Sequence, residues 1–422
     1  MGKRIFYRMK QPGTIHSSSF FNLALLCIIF AIILKSRAFV FGYAISLYIV
    51  VLLKGGFKTN KTLKIISPLL LVSLFVGLVF FYKANSSSGR ILVYKLTWKI
   101  IKDHAVTGVG LKNFANVYRS YQTVYFKEGN YTIKELLLAD HTQHAFNDYL
   151  QFIAEVGLGG SFFLLFAIYF VFKSIRRALS NNNSSLLLLF ACFQLLAISV
   201  AALFMHEMEK IHIQVVLLVS LFIVMFYAYR LPGGVSIVLC ISAIGFVGLW
   251  QYGYYFRNYK TYQSLEDAKK LYNTGYIIES LALYKEQYSV LHNHVLYLSN
   301  YARALNATNQ NNEAILLLQK AIAIDNSFYL HQQLASYYTE NKMLQSAEES
   351  YLKAIYMVPN RFVPRFHLFE LYIKSTQNGK ALECGNSILN LPVKVPSLKI
   401  KDIKEVVREN MDKIVKAGFA AE

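Results

Sequence analysis

SSSGRILVYKLTWKIIKDHAVTGVGLKNF (residues 86–114) and HAFNDYLQFIAEVGLGG (residues 144–160) frame a basic connection between two membrane-length apolar runs. Soluble connections of that length are uncommon unless they form a working site. This one carries Arg, His, Asn, Asp and Glu to the edge of an apolar phase, where ionisable groups usually have a task. A membrane enzyme would meet a lipid-linked anion at such a place.

The remainder of the chain agrees with that frame. Of 422 residues, 55% are hydrophobic, 15% aromatic and only 16% charged, which is too apolar for an ordinary soluble protein. Apolar runs occupy residues 17–34, 38–53, 65–82, 148–172, 186–204, 211–229 and 235–255. Most reach the roughly 17 to 25 residues that a helix needs to span a bilayer, and Lys54 would complete the short second run by snorkelling. Seven spans are therefore expected.

Short loops set the orientation. Lys3, Arg4, Arg8 and Lys10 precede the first run, and Lys54, Lys58, Lys61 and Lys64 separate the second from the third. Lys173, Arg176 and Arg177 follow the fourth run, and Arg230 follows the sixth. If the spans alternate, all of these fall on one side, which the positive-inside rule makes cytoplasmic. The loop at 83–147 and the C-terminal region then lie outside. That loop is itself basic, with nine Lys and Arg against Asp103, Glu128, Glu135 and Asp140. Long loops translocate regardless of charge, so the excess points to an anionic ligand or to anionic lipid headgroups.

The formal charge of +20 does not indicate nucleic acid, because the basic residues recur between apolar runs and form no single basic module. The first run resembles a signal peptide, but Lys35-Ser36-Arg37 makes a poor cleavage site and a second run follows at once, so a retained anchor is expected. Cys27, Cys192 and Cys240 fall within apolar runs and Cys384 stands alone, a pattern without a disulfide framework or zinc spacing.

From about residue 262 the pattern changes to helical pairs. Ala268, Ala302 and Ala335 recur at steps of 34 and 33, Ala314, Ala347 and Ala381 at 33 and 34, and Ala321 and Ala354 keep the same step. Small residues at this period let paired helices approach closely, and Pro359 ends a unit. About four repeats fit residues 262–389, and the spacing resembles the tetratricopeptide family. The basic segment after Pro392 is expected to cap the solenoid, whose concave face suits a protein or glycan partner.

Several residues near the loop are suited to chemistry. Arg37 opens the second run at its outer end, as a guanidinium clamp for a diphosphate or as an interfacial anchor. Arg90 begins an amphipathic segment, with Ile91, Tyr94, Trp98 and Ile101 on one expected face and Lys95, Lys99 and Lys102 on another. Gly108 and Gly110 lack the spacing of a nucleotide-binding loop and predict a tight turn that returns Phe114 and Tyr118 to that surface helix. His141, His144, Asn147, Asp148 and Glu155 gather at the mouth of the fourth run. The two histidines have helical spacing but no flanking ligand set for a metal, which leaves two readings: a base for a sugar hydroxyl, or a histidine hydrogen-bonded within the loop.

Ser36-Arg37 opening a span, Gly89-Arg90 before a surface helix, TGVGLKNF, and Asn147-Asp148-Tyr149-Leu150-Gln151 followed by Glu155 and Gly157 together resemble the bacterial O-antigen ligase and polymerase superfamily over about residues 34–229. The resemblance implies a metal-independent glycosyltransferase that needs no cofactor. It would move a glycan from undecaprenyl diphosphate to a hydroxyl of a glycolipid, glycan or protein acceptor on the periplasmic face of the inner membrane. It implies that Arg37 and Arg90 hold the diphosphate and that a histidine of the outer loop acts on the acceptor. Many members place a histidine directly before the asparagine. This chain has Phe146 there, which leaves His144 and His141 as the candidate bases, with Asn147, Asp148 and Glu155 in support.

The expected architecture is all-α. A polytopic helical membrane domain at 1–255, with its outer loop at 83–147, is followed by a periplasmic tetratricopeptide-like α-solenoid at 256–422. Only three runs precede the loop, fewer than the resemblance implies, and a short form, a truncated gene product or an incorrectly started reading frame are the alternatives. Beside the ligase stand two alternatives: a glycan polymerase or protein O-oligosaccharyltransferase of the same superfamily, and an inactive membrane scaffold that presents the repeats.

Overall fold

The structure, a computed structural model, describes residues 15–34, 36–53, 84–180, 185–206, 208–229 and 262–419, with isolated positions between 238 and 259. The described residues form helices and no strand. In chain order these are α1 (Ile15–Ile33), α2 (Arg37–Leu53), α3 (Ala84–Asp103), α4 (Phe114–Lys127), α5 (Ile133–Leu138), α6 (Asp148–Ser180), α7 (Leu186–Ala201) and α8 (Ile211–Tyr229). They continue with α9 (262–273), α10 (Ile277–Leu291), α11 (Val295–Ala307), α12 (Asn311–Ile324), α13 (Phe328–Glu340), α14 (Leu344–Met357), α15 (Phe362–Lys374), α16 (Asn378–Leu389) and α17 (Leu398–Phe419). Five of the expected apolar runs correspond to α1, α2, α6, α7 and α8. The run at 65–82 lies outside the described residues, and the run at 235–255 does so apart from isolated positions.

Two compact units result, each assembled from discontinuous stretches of chain. The first comprises residues 1–87, 101–111 and 144–252. Phe20, Val50, Ile175, Leu188, Phe193 and Val224 are among its buried core residues, supplied by α1, α2, α6, α7 and α8. Within it, α6 and α8 are long and apolar enough to cross a membrane, with mean hydropathies of 1.8 and 2.3, whereas α1, α2 and α7 are shorter apolar helices. On α6 the rings of Phe162 and Phe163 are 78% and 77% exposed. An apolar surface of this kind is what lipid would cover.

Helices α2 and α7 run antiparallel at close range. Phe41 meets Phe204 at 5.7 Å between centroids, Tyr43 stacks on Phe193 at 5.1 Å, and a Cβ on Gly42 would lie 2.6 Å from the Ala197 carbonyl oxygen. Rising numbers on α2 thus match falling numbers along α7. Arg37, at the start of α2, therefore belongs to the end of the unit where α7 gives way to residues 202–210.

The second unit comprises residues 88–100, 112–143 and 253–422. Its four helical pairs, α9/α10 to α15/α16, keep the expected register: all eight recurring alanines are no more than 1% exposed. The turn inside each pair is also periodic. Gly275, Asn309, Lys342 and Thr376 all have positive φ, and the next amide donates back to the carbonyl of Leu271, Leu305, Tyr338 or Tyr372. These bonds satisfy carbonyls that a helix end would otherwise leave open. The last helix, α17, is anchored where Lys404 donates to the carbonyls of Leu389 and Leu391.

The outer-loop helices belong to this second unit in part. On α3, Leu92, Val93, Leu96 and Ile100 are buried, whereas Ile91 and Trp98 are 52% and 56% exposed. Of the expected apolar face, Ile91 and Trp98 thus lie outward, Tyr94 is half-buried and Ile101 is buried. Two stripes have helical spacing here, and the one with adjacent Leu92 and Val93 buries the broader surface. Helix α5 starts with a capping box, in which Thr132 accepts from the Glu135 amide and Glu135 accepts from the Thr132 amide. Lys95 ties the group together, donating to Tyr125 at 2.7 Å and to Glu135 at 3.3 Å.

His331 gives the repeats a pH dependence. It is 7% exposed, its Nε2 faces Asn326 Oδ1 at 2.7 Å, and its Nδ1 is buried without a hydrogen-bond partner. Burial, and then the charge of Lys353, push its pKa down from 6.5 to about 4. The unfolded chain therefore takes up the proton first as pH falls. The stability contribution is complete above about pH 6.5 and is lost between there and about pH 4, amounting to about 3 kcal/mol. Thermal unfolding followed across that range should show the decline, and His331→Gln should flatten it.

Candidate functional site

The TGVG turn forms as the two glycines predict, with φ of 67° at Gly108 and 92° at Gly110, but what it clasps is α6. Val109 and Gly110 donate to the carbonyls of Ala154 and Glu155 at 3.0 and 2.9 Å, and Leu158 donates to the Ala105 carbonyl at 2.7 Å. These bonds are available because α6 breaks at Gly157, whose φ of 68° and ψ of −166° are not helical. The break frees main-chain groups within the helix, and the turn pairs them. Backbone meets backbone so closely that neither Gly108 nor Gly157 has space for a Cβ. Phe114 and Tyr118 follow into the interior, at 1% and 0% exposure.

Above the break, α6 begins at a strained corner. Phe146 has a φ of 55°, a conformation that a bulky side chain adopts only when its surroundings demand it. Asn147 then caps the helix, its Oδ1 accepting from the Leu150 amide at 3.0 Å. Asp148 fastens the α7–α8 connection, with its amide donating to the Ala202 carbonyl at 2.9 Å and its Oδ2 accepting from the Met208 amide at 3.1 Å. The expected supporting residues thus do structural work at the mouth of α6.

That fastening brings His206 and Glu209 to His144. The rings of His144 and His206 stack at 3.9 Å and 5°, and Phe146 meets His206 edge-on. His144 Nδ1 lies 3.9 Å from Glu209 Oε1. Gln151 joins the carboxylates, donating to Glu209 at 3.2 Å and to Glu155 at 3.3 Å, while its own Oε1 accepts from the Ala145 amide. Glu155 is 7% exposed, so its carboxyl group is sequestered beside that amide. At 3.9 Å the Glu209 carboxylate is near the His144 imidazole without a hydrogen bond to it, and His144 Nδ1 is buried without a hydrogen-bond partner. Arg37 lies toward the same end of this unit, exposed at the start of α2. Among the described residues no group of three or more His, Cys, Asp and Glu stands ready to hold a metal ion.

The other candidates lie in the second unit. Arg90 is half-buried on α3 beside Tyr94, whose hydroxyl is pushed up by burial and drawn down by the arginine charge. His141 points its Nε2 to Arg119 at 3.4 Å and sets its ring edge-on to Phe328 and Tyr329. Burial, and then the Arg119 charge, lower its pKa. His141 and His144 therefore have different surroundings: His141 lies beside the Arg119–Asp325 pair and Asp140, and His144 lies 3.9 Å from Glu209. His206 and Glu209 were not singled out from the sequence. The available signal was the polar MHEMEK stretch between two apolar runs, which alternation of spans puts on the same side as the loop.

Residues 14–165 match the family described as O-antigen ligase, a segment that includes every motif residue named above and ends within α6 before His206 and Glu209. No curated protein matches the chain. Among solved structures, the chain is similar to a crystal structure of MamA protein at 19% identity and a TM-score of 0.31, over 37% of this chain and 86% of that one. A second crystal structure of MamA is similar at 19% identity and a TM-score of 0.30, over 35% and 88%.

Proposed function

We propose that this chain is a glycosyltransferase of the ligase type, acting at the outer face of the bacterial inner membrane on a glycan carried by undecaprenyl diphosphate. The observation that carries the reading is the His144–Glu209 pair, set at the mouth of α6 within reach of residues that the O-antigen ligase match includes. His144 Nε2 takes the proton of an acceptor hydroxyl while Glu209 steadies the imidazolium that forms. The acceptor oxygen bonds to the anomeric carbon, the bond from that carbon to the phosphate oxygen breaks, and the electron pair leaves with the diphosphate. Arg37 and Arg90 are the guanidinium groups proposed to hold that growing charge, each able to meet phosphate oxygens with two parallel N–H bonds. The outer loop and the repeats would then lie in the periplasm.

Purified protein supplied with undecaprenyl-diphosphate glycan and envelope acceptors should transfer glycan without added metal. Arg37→Ala and Arg90→Ala should each lower kcat/KM about a hundredfold. Unchanged single variants would remove these side chains from the site. Inert wild-type protein whose repeats capture an envelope partner would favour a scaffold.

A further inference from the structure

We propose that the second and third repeats form a built-in cradle for the loop segment 112–143, with Arg119 as the residue that positions this segment for catalysis. The proposal rests on the transferase reading above and assigns the repeats an internal role beside any partner they bind.

Asn116, Arg119 and Gln122 recur every third residue and so share one face of α4. Opposite them stand two equivalent turns, α12–α13 and α14–α15. Asn116 donates to the Ile324 carbonyl at 2.8 Å and accepts from the Asn326 amide at 3.0 Å. Gln122 donates to the Met357 carbonyl, which is the Ile324 position one repeat later. From Asn116 to Gln122 the helix advances about 9 Å, close to the roughly 8–10 Å between packed helix axes. Helix and solenoid thus have matching periods.

The segment beyond α4 is held by the same turn. Asn360 donates to the carbonyls of Leu137 and Ala139 at 3.0 and 2.7 Å, and Arg361 pairs with Asp140 at 3.2 Å. Arg119 is central. It is 2% exposed, binds Asp325 at 2.6 Å, donates to its own helix at the Ala115 carbonyl, and meets His141 Nε2 at 3.4 Å. A guanidinium so enclosed needs its carboxylate, because an unpaired buried charge is strongly unfavourable. The pair therefore fixes the chain at His141, just before it continues to His144.

The test uses the full-length protein in detergent, with hydrogen exchange and transfer kinetics on Asp325→Asn, Asp325→Glu and the milder Asn116→Ala. Asp325→Asn should speed exchange in 128–143 roughly tenfold while leaving α16 unchanged. It should lower kcat about tenfold, measured per donor-binding protein, with donor affinity held. Asp325→Glu should recover most of the rate, and Asn116→Ala should show the same pattern in smaller measure. Unchanged exchange in 128–143 would refute the cradle, and faster exchange with unaltered kcat would refute positioning. Wild-type protein without transfer activity would refute the transferase reading, while the exchange data alone would still decide the cradle.

Discussion

Gly157→Ala should destroy the stability of the first unit, with a loss of about 3 kcal/mol or more. A Cβ at this position would collide with the Val106 carbonyl oxygen and lie 2.6 Å from the Gly108 nitrogen, both main-chain atoms that no rotamer change can move aside. The φ of 68° adds a conformational penalty that alanine pays and glycine does not. Escape requires the TGVG turn to lift away, which breaks the bonds from Val109, Gly110 and Leu158 together. Gly159→Ala is the internal control. It lies in the same helix, meets nothing within 4 Å, and should be neutral or gain a few tenths of a kcal/mol from reduced chain entropy. Thermal denaturation in detergent compares the two directly. Equal midpoints for both variants would mean that the turn and the broken helix are not clasped.

His144→Ala should lower kcat about a thousandfold with little change in donor affinity, the range expected when a general base is removed. His206→Ala should lose less, since its ring stacks on His144 and has an orienting part. Glu209→Gln keeps the shape near His144 Nδ1 but removes the charge that supports the imidazolium. It should reduce kcat by less than His144→Ala does, with donor affinity held. His141→Ala distinguishes the two histidines. With its ring against Phe328 and Tyr329 it should affect the order of the loop more than the chemistry. A thousandfold loss in His141→Ala with an active His144→Ala would reverse the assignment.

Much of the molecule follows from local pattern. The apolar runs at 17–34, 38–53, 148–172, 186–204 and 211–229 fall on helices, because a long apolar stretch pairs its own backbone groups in that form. The repeat register is equally local: alanine at a fixed period marks where helices touch, and every one of those alanines is buried. The tight turn at Gly108 and Gly110 also follows from residue type alone.

Other features depend on tertiary structure, for a common reason. On α3, two apolar stripes fit the helical period equally well, and only packing decides that Leu92 and Leu96 go inward while Trp98 stays out. Arg119, one of many basic residues in the loop, becomes a buried anchor through Asp325, some two hundred positions along the chain. His206 and Glu209 reach His144 because Asp148 bonds to Ala202 and Met208, a link between chain segments that no periodicity encodes. Helix, repeat and turn are properties of neighbouring residues, and the sequence by itself determines them. Which titratable groups meet depends on contacts between distant segments, and that is set only when the chain has packed.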